Sequence, residues 1–167
     1  MTPIVRPAAD GDASAIREVL LTAFPTPPEA DLVEQLGADG DLALSFVAAV
    51  DGKVVSHIAF SRMNVTADGE RVPALGLAPL AVLPGHQKQG IGGRLVERGL
   101  AAANGRGAAI AFVLGDPDYY GRFGFRCETA APFASPYAGR HFMAQWLSSP
   151  RMPASGQADY APAFGRL

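Results

Sequence analysis

Glycine is a poor helix former, costing about 1 kcal/mol against alanine. Yet Gly90, Gly92 and Gly93 crowd the start of a segment that otherwise reads as a helix over Ile91–Asn104. The chain before them, Val82-Leu83-Pro84-Gly85-His86-Gln87-Lys88-Gln89, ends an apolar strand and makes a polar turn. A helix N-terminus presents backbone N–H groups that have no intrahelical partner, and glycine lets an anion come against the main chain. The chemistry on offer is phosphate binding by the backbone. Two familiar phosphate motifs do not fit. A triphosphate loop needs Gly-Lys followed by Ser or Thr, which is absent. A dinucleotide fingerprint needs a third spaced glycine where this chain has Leu95, and it follows a strand that opens a βαβ unit. Here the preceding strand is reached through a hairpin.

A second stretch, Leu114-Gly115-Asp116-Pro117-Asp118-Tyr119-Tyr120-Gly121-Arg122-Phe123-Gly124-Phe125, is dense in aromatics. Phe123 and Phe125 read as core. Tyr119 and Tyr120 each carry a hydroxyl that needs a partner when buried. His57, in Ser56-His57-Ile58, has the intrinsic pKa of a general base; a histidine bonded within the sheet is the other reading of it. Cys127 has only Arg126 as an activating neighbour and reads as a bystander.

These residues need elements to hold them. Pro3–Arg6 reads as a strand, and Asp10 or Asp12 can cap a helix carrying Ile16, Val19, Leu20 and Phe24 at helical spacing. Pro25-Thr26-Pro27-Pro28 stops it and starts another helix, with Glu29 and Asp31 in the first turn, Leu32, Val33 and Leu36 inward, and Gly37 at its end. Leu44–Val50 and Lys53–Val65 form a hairpin across Asp51-Gly52. A turn at Ala67-Asp68-Gly69-Glu70 leads to the apolar strand Val72–Leu83, and Ala108–Leu114 is a buried strand parallel to it. Asp116–Arg122 is a short helix or turn, Phe125 starts an extended segment, and His141–Leu147 is a late strand. The tail, residues 148–167, packs as loop with a little strand through Tyr160 and Phe164. The expected fold is α+β, a mixed and mostly antiparallel sheet with helices on both faces. One domain spans 1–167.

Pro79 interrupts the central strand Val72–Leu83. Proline cannot donate to a ladder, so it marks an edge, a bulge or a deliberate opening. An opening toward Ala108–Leu114 would free the backbone of Leu80, Ala81 and Val82 for an extended ligand.

Composition narrows the field. The 167 residues are 49% hydrophobic, enough for a core without metal or disulfide staples, and no metal is expected. A formal net charge of −2 with no basic run argues against nucleic acid. Cys127 is the one cysteine, which suits a reducing compartment. The first residues lack a signal-peptide pattern and no apolar run is long enough to span a bilayer, so a cytoplasmic protein with no membrane partner is expected.

Gln87-Lys88-Gln89-Gly90-Ile91-Gly92 matches Gln/Arg-x-x-Gly-x-Gly/Ala and resembles the signature turn of the GNAT superfamily of N-acetyltransferases. The resemblance runs from Arg6 to about Phe164. It is strongest over Leu75–Phe125, where the chain looks like the YhbS-like branch of predicted acetyltransferases. It implies that Gln87, Lys88, Gln89, Gly90, Ile91, Gly92 and Gly93 cradle the pyrophosphate of acetyl-CoA. It also implies that a splayed parallel strand pair receives the pantetheine arm along Leu80, Ala81 and Val82. Tyr120 stands four residues before Gly124-Phe125, the register of a tyrosine that protonates the departing thiolate in many members; Tyr119 does not.

One family feature is missing. Many members place a glutamate base on the strand before the turn, and Leu75-Gly76-Leu77-Ala78-Pro79-Leu80 carries no acid. His57 is the candidate base, with Glu29, Asp116 or a water chain as further candidates. The implied activity is transfer of acetyl to the primary amine of an unidentified acceptor by direct attack, in a monomer or homodimer. The alternatives are an acyl-CoA-binding sensor on the same fold and a binding module whose glycine turn is structural.

Overall fold

A computed structural model describes residues 2–24 and 26–166. Pro25, read above as part of the helix break, lies outside the described residues. In chain order the elements are β1 (Ile4–Pro7), α1 (Ala13–Ala23), α2 (Pro28–Asp39), β2 (Leu42–Val50), β3 (Lys53–Arg62), β4 (Asn64–Ala67) and β5 (Glu70–Arg71). Then follow β6 (Ala74–Val82), α3 (Ile91–Gly105), β7 (Ile110–Leu114), α4 (Pro117–Tyr120), α5 (Cys127–Ala130), β8 (Phe133–Ala134), β9 (Phe142–Trp146) and β10 (Gly156–Asp159).

The main sheet has the order β1-β2-β3-β6-β7-β9. Every adjacent pair in it is antiparallel except β6 and β7. Asp51 and Gly52 both take positive φ, the geometry that lets a two-residue turn follow the twist of β2 and β3. Helices cover both faces. Ile91, Leu95 and Val96 of α3 bury one face against Phe46, Ile58 and Phe60. Ile16, Val19 and Leu20 of α1 bury the other against Val47, Ala59 and Ala81. Each such side chain contributes about 1.5–3 kcal/mol of burial.

Several boundaries depart from expectation. α2 continues past Gly37 to Asp39, and Gly40 ends it in the left-handed region. The long strand read as Lys53–Val65 divides at Met63. Its second part, β4, leaves for another sheet of order β5-β4-β10-β8. Phe125 does not open a long extended segment: Arg126 makes a single bridge to Ala144, and the chain turns into α5. Asp12 stands at the N-cap position of α1, but its carboxylate takes the Arg6 guanidinium at 2.7 and 3.0 Å and the Ala9 N–H at 2.7 Å. Those bonds, the Arg6 bond foremost, hold its pKa at about 2. The tail packs through Tyr160, Ala161, Ala163 and Phe164 against Leu32 and Leu36 of α2.

The opening at Pro79 takes a definite form. Ile58 pairs with Leu80 and Phe60 with Leu77, so Ala59 alone faces both Ala78 and Pro79. This is a bulge. On the opposite side, β6 pairs with β7 only over Ala74–Leu77. Beyond Leu77 the two parallel strands separate.

Candidate active site

Main-chain direction along β6 decides what the gap offers. The Leu83 N–H donates to Val55 across the ladder. Alternation then commits Ala81 to its partner His57, and the Ser56 hydroxyl donates to the Ala81 carbonyl at 2.7 Å. Leu80 and Val82 point the other way, into the gap. The Gln87 side-chain amide donates to the Val82 carbonyl at 3.0 Å, so Val82 keeps its N–H for other use. Of the three residues expected to offer free backbone, Leu80 and Val82 do so and Ala81 does not.

The glycine turn closes one side of a cavity of about 630 Å³. Lys88 and Gly90 both lie in the left-handed region, with φ of 63° and 81°. Changes of backbone hand are the geometry in which successive N–H groups turn to one side. Gly92 is buried, and a Cβ there would lie 2.8 Å from the Tyr119 hydroxyl. His86, Gln87, Lys88, Gly90, Ile91, Gly92 and Gly93 line the cavity; Gln89 does not. Lys88, Arg94 and Arg122 bring cations to it against one acid, Glu97. Nothing in the sequence pattern marks Arg94 and Arg122 except their places, on the first turn of α3 and beside the tyrosines.

A second cavity, of about 380 Å³, lies where β6 leaves β7. Leu80 lines both cavities. The adjacent tyrosines divide between them. Tyr119 lines the turn cavity under the Arg122 guanidinium, 4.8 Å from its ring centre. Tyr120 lines the second, its ring seated on Gly115, where a Cβ would come within 2.5 Å. Burial, with the neighbouring Tyr119 adding to it, pushes the Tyr120 hydroxyl up to about 12.

His57 is elsewhere. It is fully buried on the α1 face, its Nε2 paired with the Ser45 hydroxyl at 2.8 Å, and it lines neither cavity. Burial holds its pKa down at about 4. Asp116 is spent on capping α4, accepting the Asp118 N–H at 2.9 Å. Cys127 donates to Glu128 at 2.8 Å, which pushes its thiol up and makes it a poorer nucleophile. Among the described residues no cluster of His, Cys, Asp or Glu could hold a metal, and no helix is long and apolar enough to cross a membrane.

The model of the acetyltransferase (GNAT) domain matches residues 4–127, most of the chain. The chain belongs to the GNAT acetyltransferases. Among its relatives, the uncharacterized N-acetyltransferase YjhQ of Escherichia coli K12 is 42% identical over 129 residues, covering 75% of this chain and 71% of YjhQ. The uncharacterized N-acetyltransferase YhbS of the same strain is 43% identical over 115 residues, 68% of each protein. A crystal structure of E. coli YhbS in complex with CoA superposes with a TM-score of 0.85 at 33% identity, covering 98% of this chain and 92% of that one. A GNAT acetyltransferase from Brucella melitensis in complex with acetyl-CoA gives 0.80 at 37% identity, over 98% of both chains. This chain is thus an N-acetyltransferase of the GNAT fold, with the mostly antiparallel sheet and the parallel strand pair expected of it.

Proposed function

We propose that this acetyltransferase uses acetyl-CoA as donor and passes the acetyl group to a primary amine by direct attack. The observation that carries the reading is the gap between β6 and β7. It is edged by main chain of Leu80 and Val82 that β7 does not pair, and it lies between a cationic glycine turn and a separate cavity. The turn residues Gln87, Lys88, Gly90, Ile91, Gly92 and Gly93 take the pyrophosphate, and an extended arm runs beside Leu80 and Val82 as an added strand. The CoA and acetyl-CoA complexes of the two similar structures support this assignment. The single cysteine suits a reducing compartment, and on that ground we place the enzyme in the cytoplasm.

In the reaction the amine nitrogen bonds to the thioester carbonyl carbon, the C–S bond breaks, and sulfur leaves with the electron pair. An ammonium acceptor loses two protons in all. One ends on the CoA sulfur and one goes to solvent. The Val82 N–H faces the developing oxyanion. A phenol held near 12 does not hand its proton outright to a thiolate with a pKa around 8.5. Tyr120 instead donates a hydrogen bond that strengthens as charge builds on sulfur.

Thermal denaturation with and without acetyl-CoA, followed by thiol release over a panel of amines, tests the reading. A ligand that binds the native state alone raises the melting temperature. The expected result is a higher melting temperature and amine-dependent thiol release. No shift would return the turn to a structural role; a shift without thiol release on any amine would leave a sensor.

A further inference from the structure

The cavity beside Tyr120 has walls from five separate stretches of chain, and its lining is mostly apolar: Phe24, Leu32, Leu77, Pro79, Tyr137 and Phe164 among others. Two polar atoms break this pattern. Glu29 Oε2 and the Tyr160 hydroxyl are both buried, and neither has a hydrogen-bond partner among the described residues. Leaving a buried polar atom unpaired costs about 1–3 kcal/mol, and more for a charged group. The two residues line one cavity, and a ligand that enters it is the partner their polar groups lack. Glu29 is the one acid in the lining, and no lysine, arginine or histidine lines the cavity to neutralise it. Tyr160 is held in place by Gly76, where a Cβ would come within 2.6 Å of its ring, and by the Phe164 ring at 4.8 Å. Burial pushes its hydroxyl pKa up, so it stays a neutral hydrogen-bonding group at working pH.

Resting on the acetyltransferase reading above, we infer that Glu29 receives the ammonium of the acceptor, and that the acceptor is a small monoamine on an apolar or aromatic body. An unpaired carboxylate among aromatic rings favours a cation, which the ring faces also attract. The volume is at the small end of small-molecule sites, roughly 300–1,000 Å³. The lining offers no cation for a substrate carboxylate, so an amino acid is a poor fit. Its single acid leaves the second charge of a polyamine unpaired. Its apolar walls do not answer the backbone polar groups of a peptide terminus.

The test compares phenethylamine with phenylalanine, spermidine and a short peptide, each with acetyl-CoA, in the wild type and in Glu29→Gln. The wild type should acetylate phenethylamine with the highest kcat/KM of the four. Glu29→Gln should lower that value by roughly 10–100-fold, mainly through KM, as loss of one charge-assisted bond does. Inhibition by 2-phenylethanol, which fits the same space without a charge, should be unchanged in the variant, showing that the cavity has kept its shape. The acetyl-CoA-induced rise in melting temperature should also be unchanged. Preference for phenylalanine, spermidine or the peptide would overturn the inference while leaving the acetyl-CoA reading intact. So would a Glu29→Gln enzyme that treats phenethylamine as the wild type does, or failure to acetylate it at all in an enzyme that acetyl-CoA stabilises. Absence of any acetyl-CoA stabilisation would instead bring down the reading beneath it.

Discussion

The two cavities on either side of Leu80 are built by opposite means. The turn cavity draws most of its lining from one run, Leu80 to Glu97, and a second short one, Tyr119 to Phe123. It offers main-chain amides, a helix start and cations. The second cavity draws side chains from α2, β6, the end of β7, the loop at Tyr137 and the tail. It offers an apolar shape and two residues with unpaired polar atoms. A shared donor can be held by backbone geometry, which a short motif encodes. An acceptor must be distinguished by side chains, and these converge from places far apart in the chain.

The sharpest way to break the first cavity is Gly92→Val. The added side chain would meet the Tyr119 hydroxyl and stand where a phosphate approaches the backbone. Acetyl-CoA affinity should fall about 100-fold, ~2.7 kcal/mol, in a protein that remains folded. Calorimetric titration beside a melting curve reads both. Unchanged affinity would remove the turn from the donor site.

The paired tyrosines sharpen the contrast further. A hydrogen bond from Tyr120 to the charge building on sulfur contributes about 1.5–3 kcal/mol. Tyr120→Phe should therefore lower kcat about 10–100-fold with acetyl-CoA affinity little changed. Tyr119→Phe should leave kcat near wild type, and any effect should lie in acetyl-CoA binding, because its hydroxyl abuts Gly92. Steady-state kinetics that reverse the two roles would invert the assignment of the cavities.

His57 supplies the smallest effect on activity. In the fold it stays neutral down to about pH 4, whereas the unfolded chain protonates it near 6.5. The unfolded state then binds more protons between those values. The contribution to stability is whole above about 6.5 and is lost as pH falls toward 4, of order 3 kcal/mol in all. His57→Gln should flatten the melting-temperature slope over that interval and leave the pH profile of kcat unmoved. A lost limb in the rate profile would return His57 to the chemistry.

Legibility in the sequence follows the same divide. Hydrophobic period, the Asp51-Gly52 turn and Pro79 sufficed for the sheet, its helices and the bulge, because each is a local signal. The division of Lys53–Val65 at Met63 was not readable, since β4 is drawn off by β10, whose residues lie in the tail. His57 fitted a base by residue type alone, but its burial under α1 depends on which face of β3 it takes. Glu29 was visible only as a helix-start acid. Its unpaired oxygen depends on Tyr137, Tyr160 and Phe164 closing over the same space.

Those three aromatics all lie beyond residue 127, where the match to the family's domain model stops. Tyr137, Tyr160 and Phe164 form a clasp carried on loop and tail, outside β9, the strand that the same segment lends to the main sheet. Exchanging those three rings should retarget the enzyme to another acceptor while its grip on the donor stays as it was.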